Sequence, residues 1–467
     1  MTLICVCFIG MLLRSSIYHP FLTLALSIIL SLSNSVQNMV EGVESVIGRR
    51  GFSVIWNIPT SWCQHRYGVS LPLRQFNIIH NSKERFQGQN MSIFYQRRLG
   101  LYPYINRQGS KVNGGLPQLG SLNAHLSLAE MQISDVLRKT FRGLAVLDWE
   151  AWQPVWMWNF GTGIVYRKFS KKLVRWKHPD MSEEEVKSEA KAEFELAART
   201  FMEETLRLGV RLFPEGLWGF YGFPSCYNNH GQGQSGYTGQ CHNGTEILND
   251  NLAFLWQHTT ALYPSIYLWR KLAGHTHAQL MVRHRVLEAL RVASQHSPGT
   301  EALPVFPYTR VAFTHTLAFL NRTDLEHTLG ESAALGATGV VLWGELSFAK
   351  SKRQCALLRD YISSVLGEYV SSLQIGVRNC SKRMCNAQGR CARRDPHSGS
   401  HWRSEVVDGV AEHLTVRECV RCRSLIESTE WSSISVRSRS LTRTNAGGGE
   451  GVDFMITPTT DRQRIKT

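Results

Sequence analysis

The chain has 467 residues, 43% of them hydrophobic and 19% charged, ample for a large core and incompatible with a mostly disordered chain, a collagen or a small scaffold held only by disulfides. At roughly 100–200 residues per domain this length suggests two or three domains, although a single α/β barrel can absorb ~250 or more. Lys and Arg total 52 against 37 Asp and Glu, a net charge of +15 that favours a polyanionic partner or an anionic surface and leaves the fold open.

Two apolar stretches open the chain, Leu3 to Leu13 and Phe21 to Leu32, separated by Arg14, Ser15, Ser16, Tyr18, His19 and Pro20. The second ends in Ser31-Leu-Ser33-Asn-Ser35, small residues at alternate positions as a signal-peptidase site prefers. Neither reaches the ~20 continuous apolar residues of a membrane span. Residues 1–35 therefore read as a secretory signal, with an uncleaved signal anchor as the competing reading, and no later segment is long enough to span a bilayer.

From residue 36 to 376, short apolar runs rich in β-branched or aromatic residues recur: Ser53-Val-Ile-Trp-Asn57, Met91-Ser-Ile-Phe-Tyr95, Leu144-Ala-Val-Leu-Asp148, Leu217-Trp-Gly-Phe-Tyr221, Pro304-Val-Phe-Pro-Tyr308 and Gly339-Val-Val-Leu-Trp343. Helical periods lie between most of them. The clearest runs from Ser182, which caps it, to Leu212, with Glu183 to Glu185 in its first turn. Asn249 to Ala261, His277 to Gln295, Thr323 to Ala337 and Ser351 to Val370 follow. Alternating strands and helices predict parallel β-α units covered on both sheet faces. Six or more of them over ~330 residues predict a closed barrel rather than an open sheet.

After about Gly376 the composition shifts. Cys380, Cys385 and Cys391 crowd beside Gly389, predicting a small disulfide-rich module over 377–423; residues 424–467, dominated by Ser, Thr, Arg and Gly, predict a disordered tail. Of the 11 cysteines, Cys5 and Cys7 leave with the leader, and the odd remainder (these three with Cys63, Cys226, Cys241, Cys355, Cys419 and Cys422) strands one thiol. Secretion makes disulfides the default. Cys419-Val-Arg-Cys422 faces no second such pair, so no zinc site is expected. Four sequons, at Asn90, Asn243, Asn321 and Asn379, fit a glycosylating route.

The strongest chemical signal is Gly143-Leu-Ala-Val-Leu-Asp148-Trp149-Glu150-Ala-Trp152. In a strand, residues i and i+2 share a face, so Asp148 and Glu150 point the same way. Their mutual repulsion raises one pKa and keeps a proton available. Trp149 and Trp152 are expected to add apolar surroundings that favour the neutral acid. A protonated carboxyl beside an ionised one is what glycosidic cleavage requires, although a solvated acidic pair at a strand end has the same spacing. Tyr95, Tyr221, Tyr308, Trp343 and Tyr267 also end apolar runs. At the C-terminal strand ends of a barrel such rings would stack on sugars and their hydroxyls bond acetamido groups; core packing is the alternative fate of each.

Longer motifs are recognisable. Gly143 to Pro154, Leu217-Trp-Gly-Phe-Tyr221-Gly-Phe-Pro-Ser-Cys226-Tyr-Asn228, Tyr237-Thr-Gly-Gln-Cys241, Ala261-Leu-Tyr-Pro-Ser-Ile-Tyr267, Arg283-His-Arg285 and Gly330 to Ala337 followed by Gly339-Val-Val-Leu-Trp343 resemble the hyaluronidases of animal tissues, sperm and venoms, over about Phe52 to Arg394. The resemblance implies a distorted (β/α) TIM-like barrel followed by an EGF-like module. It implies Glu150 as proton donor, Asp148 as the acid that orients the substrate acetamide, and Tyr221 as a tyrosine bonding that group. Tyr95, Tyr267, Tyr308 and Trp343 would line the cleft, and Arg285 would face substrate carboxylates. It implies disulfides Cys63–Cys355, Cys226–Cys241, Cys380–Cys391 and Cys385–Cys419. The activity implied is retaining, substrate-assisted hydrolysis of hyaluronan, and more weakly chondroitin, by a secreted or lysosomal monomer with no metal, cofactor or nucleic acid partner. A chondroitin-preferring enzyme and a weakly active hyaluronan-binding protein are the rivals. Gln153 stands where the family usually has Arg, Thr314 where some relatives carry a carboxylate, and the C-terminal cysteines depart from the family pattern.

Overall fold

The apolar runs form parallel strands in the structure, a computed structural model that describes residues 51–296, 302–387 and 389–398 together with strand segments 405–407, 410–412 and 421–424. The expected leader (1–35), Cys419 and the tail beyond 424 lie outside the described residues. Strands β1 (Ser53–Asn57), β2 (Ile79–His80), β3 (Met91–Tyr95), β4 (Leu144–Asp148), β5 (Leu217–Phe220), β6 (Tyr308–Arg310) and β7 (Gly339–Trp343) occupy two ladders, β2-β1-β7-β6 and β3-β4-β5. All their pairings are parallel. Single parallel bridges Tyr221–Tyr263, Leu262–Val305 and Ser265–Tyr308 carry the curve from β5 to β6 through residues 262–265. Gly219 permits this approach, since a Cβ there would collide with the Ala261 carbonyl. Between β2 and β3 side-chain amides replace the ladder: Asn90 donates to the His80 carbonyl and Asn81 to the Met91 carbonyl, each at 2.7 Å. The expected barrel is therefore present in distorted form.

Alternation sorts each strand between two cores. Ile55, Ile93, Leu144, Val146, Tyr263, Phe306 and Val341 pack together inside. Their neighbours Val54, Trp56, Phe94, Ala145, Leu147, Trp218 and Leu342 pack outward against the helices. Both faces of β4 are buried, which is why its run is apolar throughout.

The outer layer includes α1 (Leu122–Val136), α2 (Ile164–Lys177), α3 (Glu183–Leu212), α4 (Thr276–Gln295), α5 (Lys352–Tyr361) and α6 (Gly367–Met384). Ser182 and Glu185 form a reciprocal capping box at the start of α3, as the sequence predicts. The helix predicted over 249–261 is instead two short pieces, Thr245–Asp250 and Ala253–Trp256, because Thr260 and Ala261 already bond the Trp218 carbonyl as barrel backbone. The helix predicted to end at Val370 passes through a π-helical turn, Ile362–Leu366, and continues in α6 to Met384, so position 376 lies inside a helix. Helices α1 and α2 escape the sequence reading. The buried stripe of α1 is His125, Ala129 and Ile133, and that of α2 is Tyr166, Ser170 and Val174, neither of which reads as apolar. Among the described residues no helix is long and apolar enough to cross a membrane.

Three of the expected disulfides are present. Cys63–Cys355 joins the short helix Ser61–Tyr67 to α5 across 292 residues, Cys226–Cys241 closes a loop after β5, and Cys380–Cys391 ties α6 to the strand Gly389–Ala392. The long closure contributes about 5–6 kcal/mol on the chain-entropy account. Cys385 is disulfide-bonded, but its expected partner Cys419 is not among the described residues. The stretch 389–398 docks on the barrel through Glu331, which is fully buried between Arg283 (2.7 Å) and Arg393. Arg283 also donates to the carbonyls of His397 and Ser398, and Gln279 to the second Glu331 oxygen at 3.0 Å.

His125 makes acid a structural stress. It is fully buried, its Nδ1 accepts from the Leu101 N–H at 2.9 Å, and its Nε2 therefore carries the hydrogen toward Thr205 Oγ1 at 2.9 Å. Burial lowers its pKa from 6.5 to about 4. The unfolded chain protonates below 6.5 and the folded chain resists until about 4, so the stability involved is complete above the first value and is lost as pH falls through the second. The loss reaches ~3 kcal/mol. Urea midpoints should fall across that window, and a His125→Gln variant should lose most of that slope; an unchanged slope would acquit His125.

Candidate active site

The inward parity of β4 runs Leu144, Val146, Asp148, and Glu150 follows two residues beyond the strand end. Asp148 pairs in register with Tyr95 at the end of β3. On its other side Tyr221 follows β5, its N–H donating to the Leu147 carbonyl at 2.9 Å. Trp343 ends β7, level with Asn57 of β1 and with Arg310 at the end of β6, and Tyr308 lies two residues deeper, level with Val341. These ends share one rim because all the strands are parallel, so sequence-distant residues converge there.

The rings form one connected wall. Trp343 Nε1 donates to Tyr95 Oη at 3.0 Å, Trp343 stacks on Tyr267 at 6.0 Å, Tyr267 lies 6.1 Å from Tyr221, and Tyr221 meets Tyr308 edge-on at 5.0 Å. Tyr221 Oη donates to Ser265 Oγ at 3.2 Å. Burial, and for Tyr95 secondarily the charge of Asp148, raises the phenols of Tyr95, Tyr221 and Tyr308 well above 10; these three remain donors at every physiological pH. Tyr308 Oη and Asn57 Oδ1 are buried and make no hydrogen bond among the described residues, leaving both available to a ligand.

Asp148 is 7% exposed, Glu150 half-buried. Burial first, and the charge of Glu150 second, push the Asp148 carboxyl well above the usual carboxylate range. The solvated-pair alternative does not describe Asp148. The apolar surroundings come from the ring wall and not, as the sequence suggests, from the tryptophans. Odd parity turns Trp149 outward onto Tyr102, His125 and Phe220, and Trp152 donates to the Pro103 carbonyl at 2.7 Å.

A protonated buried Asp148 costs stability as pH rises. Above about 3.8 the unfolded carboxyl ionises while the folded one keeps its proton, so stability falls toward the raised value. Asp148→Asn removes that slope and should raise the melting temperature at neutral pH while impairing activity. A melting temperature lowered to the same extent at acid and neutral pH would contradict this.

Arg285 is placed differently from the expectation. It is buried on α4 and its guanidinium donates to Asn228 Oδ1 (2.8 Å), Asn229 Oδ1 (2.9 Å) and the Ser265 carbonyl (2.6 Å), bracing the segment that supports Tyr221. The arginine against the ring wall is Arg310, two residues past Tyr308, with its guanidinium 5.2 Å from the Trp343 ring and 5.9 Å from Tyr267. Glu345 Oε2 accepts from it at 2.6 Å. The recurrence Tyr308-x-Arg310 carries the same two-residue signal as Asp148-x-Glu150.

Gln153 is fixed by backbone bonds to Asn159, while its buried side-chain oxygen has no partner among the described residues. Thr314 is buried and donates to the Leu268 carbonyl at 2.9 Å. Of the sequons, Asn243, Asn321 and Asn379 are exposed; Asn90 is half-buried with its amide nitrogen already committed at the β2–β3 seam. Among the described residues, no group of three or more His, Cys, Asp or Glu is placed to hold a metal.

A sequence-family model described as hyaluronidase matches residues 41–421. Hyaluronidase-1 of Sus scrofa is 44% identical over 356 residues, covering 76% of this chain and 81% of that protein. Hyaluronidase-3 of Homo sapiens is 46% identical over 352 residues, 75% of this chain and 83% of that one. Among solved structures, bee venom hyaluronidase in complex with a hyaluronic acid tetramer aligns with a TM-score of 0.64 and 34% identity, over 69% of this chain and 99% of that one.

Proposed function

As the chain belongs to the hyaluronidase family and is a glycosidase, we propose that it is an endo-β-N-acetylhexosaminidase that hydrolyses hyaluronan with retention, using the substrate's own acetamide as nucleophile. The observation that carries this reading is the inward Asp148–Glu150 pair, one carboxyl buried with its pKa pushed up, at the foot of a continuous aromatic wall. Stacked rings suit the apolar faces of sugars, and protonated phenols suit their carbonyl and hydroxyl oxygens.

On this reading the two carboxyls share one proton, which rests first on Asp148, whose pKa burial and the charge of Glu150 push up. When the substrate acetamide N–H meets Asp148 and positive charge grows on the adjacent ring, the ionised form is favoured at Asp148 and the proton resides on Glu150. Glu150 delivers it to the glycosidic oxygen as the acetamide carbonyl attacks the anomeric carbon and the bond to the leaving sugar breaks. The resulting oxazolinium is stabilised by Asp148. Glu150 then takes a proton from water as the water opens the ring. Such enzymes need no second nucleophilic carboxylate, an accepted exception to the two-carboxylate scheme. Tyr221, held by Ser265, is assigned to the acetamide, and Tyr95, Tyr267, Tyr308 and Trp343 to the sugar faces. The disulfides suit secretion or the lysosome.

Incubating the purified protein with hyaluronan and with chondroitin from acid to neutral pH, and sizing the products, tests this. The expected outcome is even-numbered oligosaccharides, faster from hyaluronan. The reverse preference identifies a chondroitin hydrolase. Binding without cleavage identifies the weakly active binder, for which the unpartnered Gln153 oxygen is the supporting observation.

A further inference from the structure

The net charge of +15 is not spread evenly. Helix α2 carries Arg167, Lys168, Lys171, Lys172, Arg175 and Lys177 and no acidic residue. Arg175 pairs with Glu183 and Lys177 with Glu193, both from α3. Arg167, Lys168, Lys171 and Lys172 make no ion pair among the described residues. Arg167–Lys171 and Lys168–Lys172 are like-charge pairs one turn apart, an arrangement that destabilises a helix. A second element adds to the same field. Lys111, from the hairpin Tyr104–Ile105/Lys111–Val112, has its ammonium 5.2 Å from the Phe169 ring, and Lys172 approaches that ring to 5.6 Å. Two cations thus share one aromatic ring with no ion-paired carboxylate. Trp176, one turn beyond Lys172, is 81% exposed.

Chain order places this patch. The hairpin lies in the segment that follows β3 and α2 in the segment that follows β4, the strands that end in Tyr95 and Asp148. The two insertions are fastened together by the Ile105 N–H on Tyr166 Oη at 3.0 Å and Gln118 Nε2 on Ser170 Oγ at 2.9 Å. Both therefore depart from the rim that carries the candidate site.

We propose that Lys111, Arg167, Lys168, Lys171 and Lys172, with the exposed Trp176, form an exosite that holds a further stretch of a carboxylate-bearing glycosaminoglycan outside the ring-lined cleft. The inference rests on the proposed substrate. Clustered cations attract a polyanion and release its counterions, while an exposed indole offers a face for a sugar ring. A chain held at both places stays at high effective concentration beside the cleft after each cut.

The test is the triple variant Lys111→Gln/Lys168→Gln/Lys172→Gln, all three side chains being exposed. High-mass hyaluronan should show a KM raised about fivefold to tenfold, with kcat unchanged and a shallower dependence on salt. An oligosaccharide just long enough to fill the cleft should be cleaved with unchanged kinetics. Equal effects on both substrates, or no effect on either, would overturn the exosite. Retention on immobilised hyaluronan in the Glu150→Gln background, with and without the triple change, separates the two readings. If the wild type cleaves nothing but retention still depends on the lysines, the proposed activity fails and the exosite stands. Loss of binding to phosphatidylserine vesicles with undiminished hyaluronan retention would overturn it in favour of a membrane surface.

Discussion

Replacing Glu150 by Gln lowers kcat on hyaluronan by roughly 10²–10⁴-fold, the range supplied by a positioned general acid, and leaves binding nearly intact. The amide is close in size and still hydrogen-bonds, but it has no transferable proton, so the loss falls on the step in which the glycosidic oxygen must be protonated. KM should change little, because the proposed hold on the sugar faces lies with the ring wall of Tyr267, Trp343 and their neighbours, which the change leaves in place. A variant retaining more than a tenth of wild-type kcat would remove Glu150 from that role and leave the fold and the ring wall unaffected.

Removing the Glu331 carboxylate has a large expected effect on stability. Its side chain is fully buried and neutralises Arg283, itself 5% exposed, and Arg393, 2% exposed. Glu331→Ala strands two guanidinium groups in a site sealed by Gln279 and the 389–398 stretch. Breaking a buried pair from one side costs about 3–5 kcal/mol. Replacing all three charges with apolar residues of similar volume should recover most of that loss, because the penalty comes from uncompensated charge and not from a missing attraction. Urea unfolding of the single and triple variants decides the matter. If the triple variant is no better than Glu331→Ala, the charge account fails.

Much of the barrel was legible because a parallel strand buried on both faces must be apolar at every position, and short runs such as Leu144 to Leu147 can then be little else. The candidate acid pair was legible for a related reason, since period two places Asp148 and Glu150 on one side whatever surrounds them. The same period, carried one residue further, would have turned Trp149 to the outer layer and kept Arg310 with Tyr308. An arginine just past a strand end reads as solvated until the Trp343 ring arrives from another strand. Arg285 resisted for the opposite reason: its partners Asn228, Asn229 and the Ser265 carbonyl come from two separate loops that only the fold brings together. Helix α1 was hidden because a histidine supplies part of its buried stripe, and burial of that ring depends on Thr205 and the Leu101 N–H.

The route of hydrolysis is read most directly from the newly formed reducing ends. Proton NMR of a defined hyaluronan oligosaccharide, followed from the first seconds of digestion, distinguishes the anomers before mutarotation mixes them. Attack by the acetamide followed by water predicts that the β-anomer of N-acetylglucosamine appears first. Initial release of the α-anomer would mean a single direct displacement by water and would contradict the role given to the Asp148–Glu150 pair.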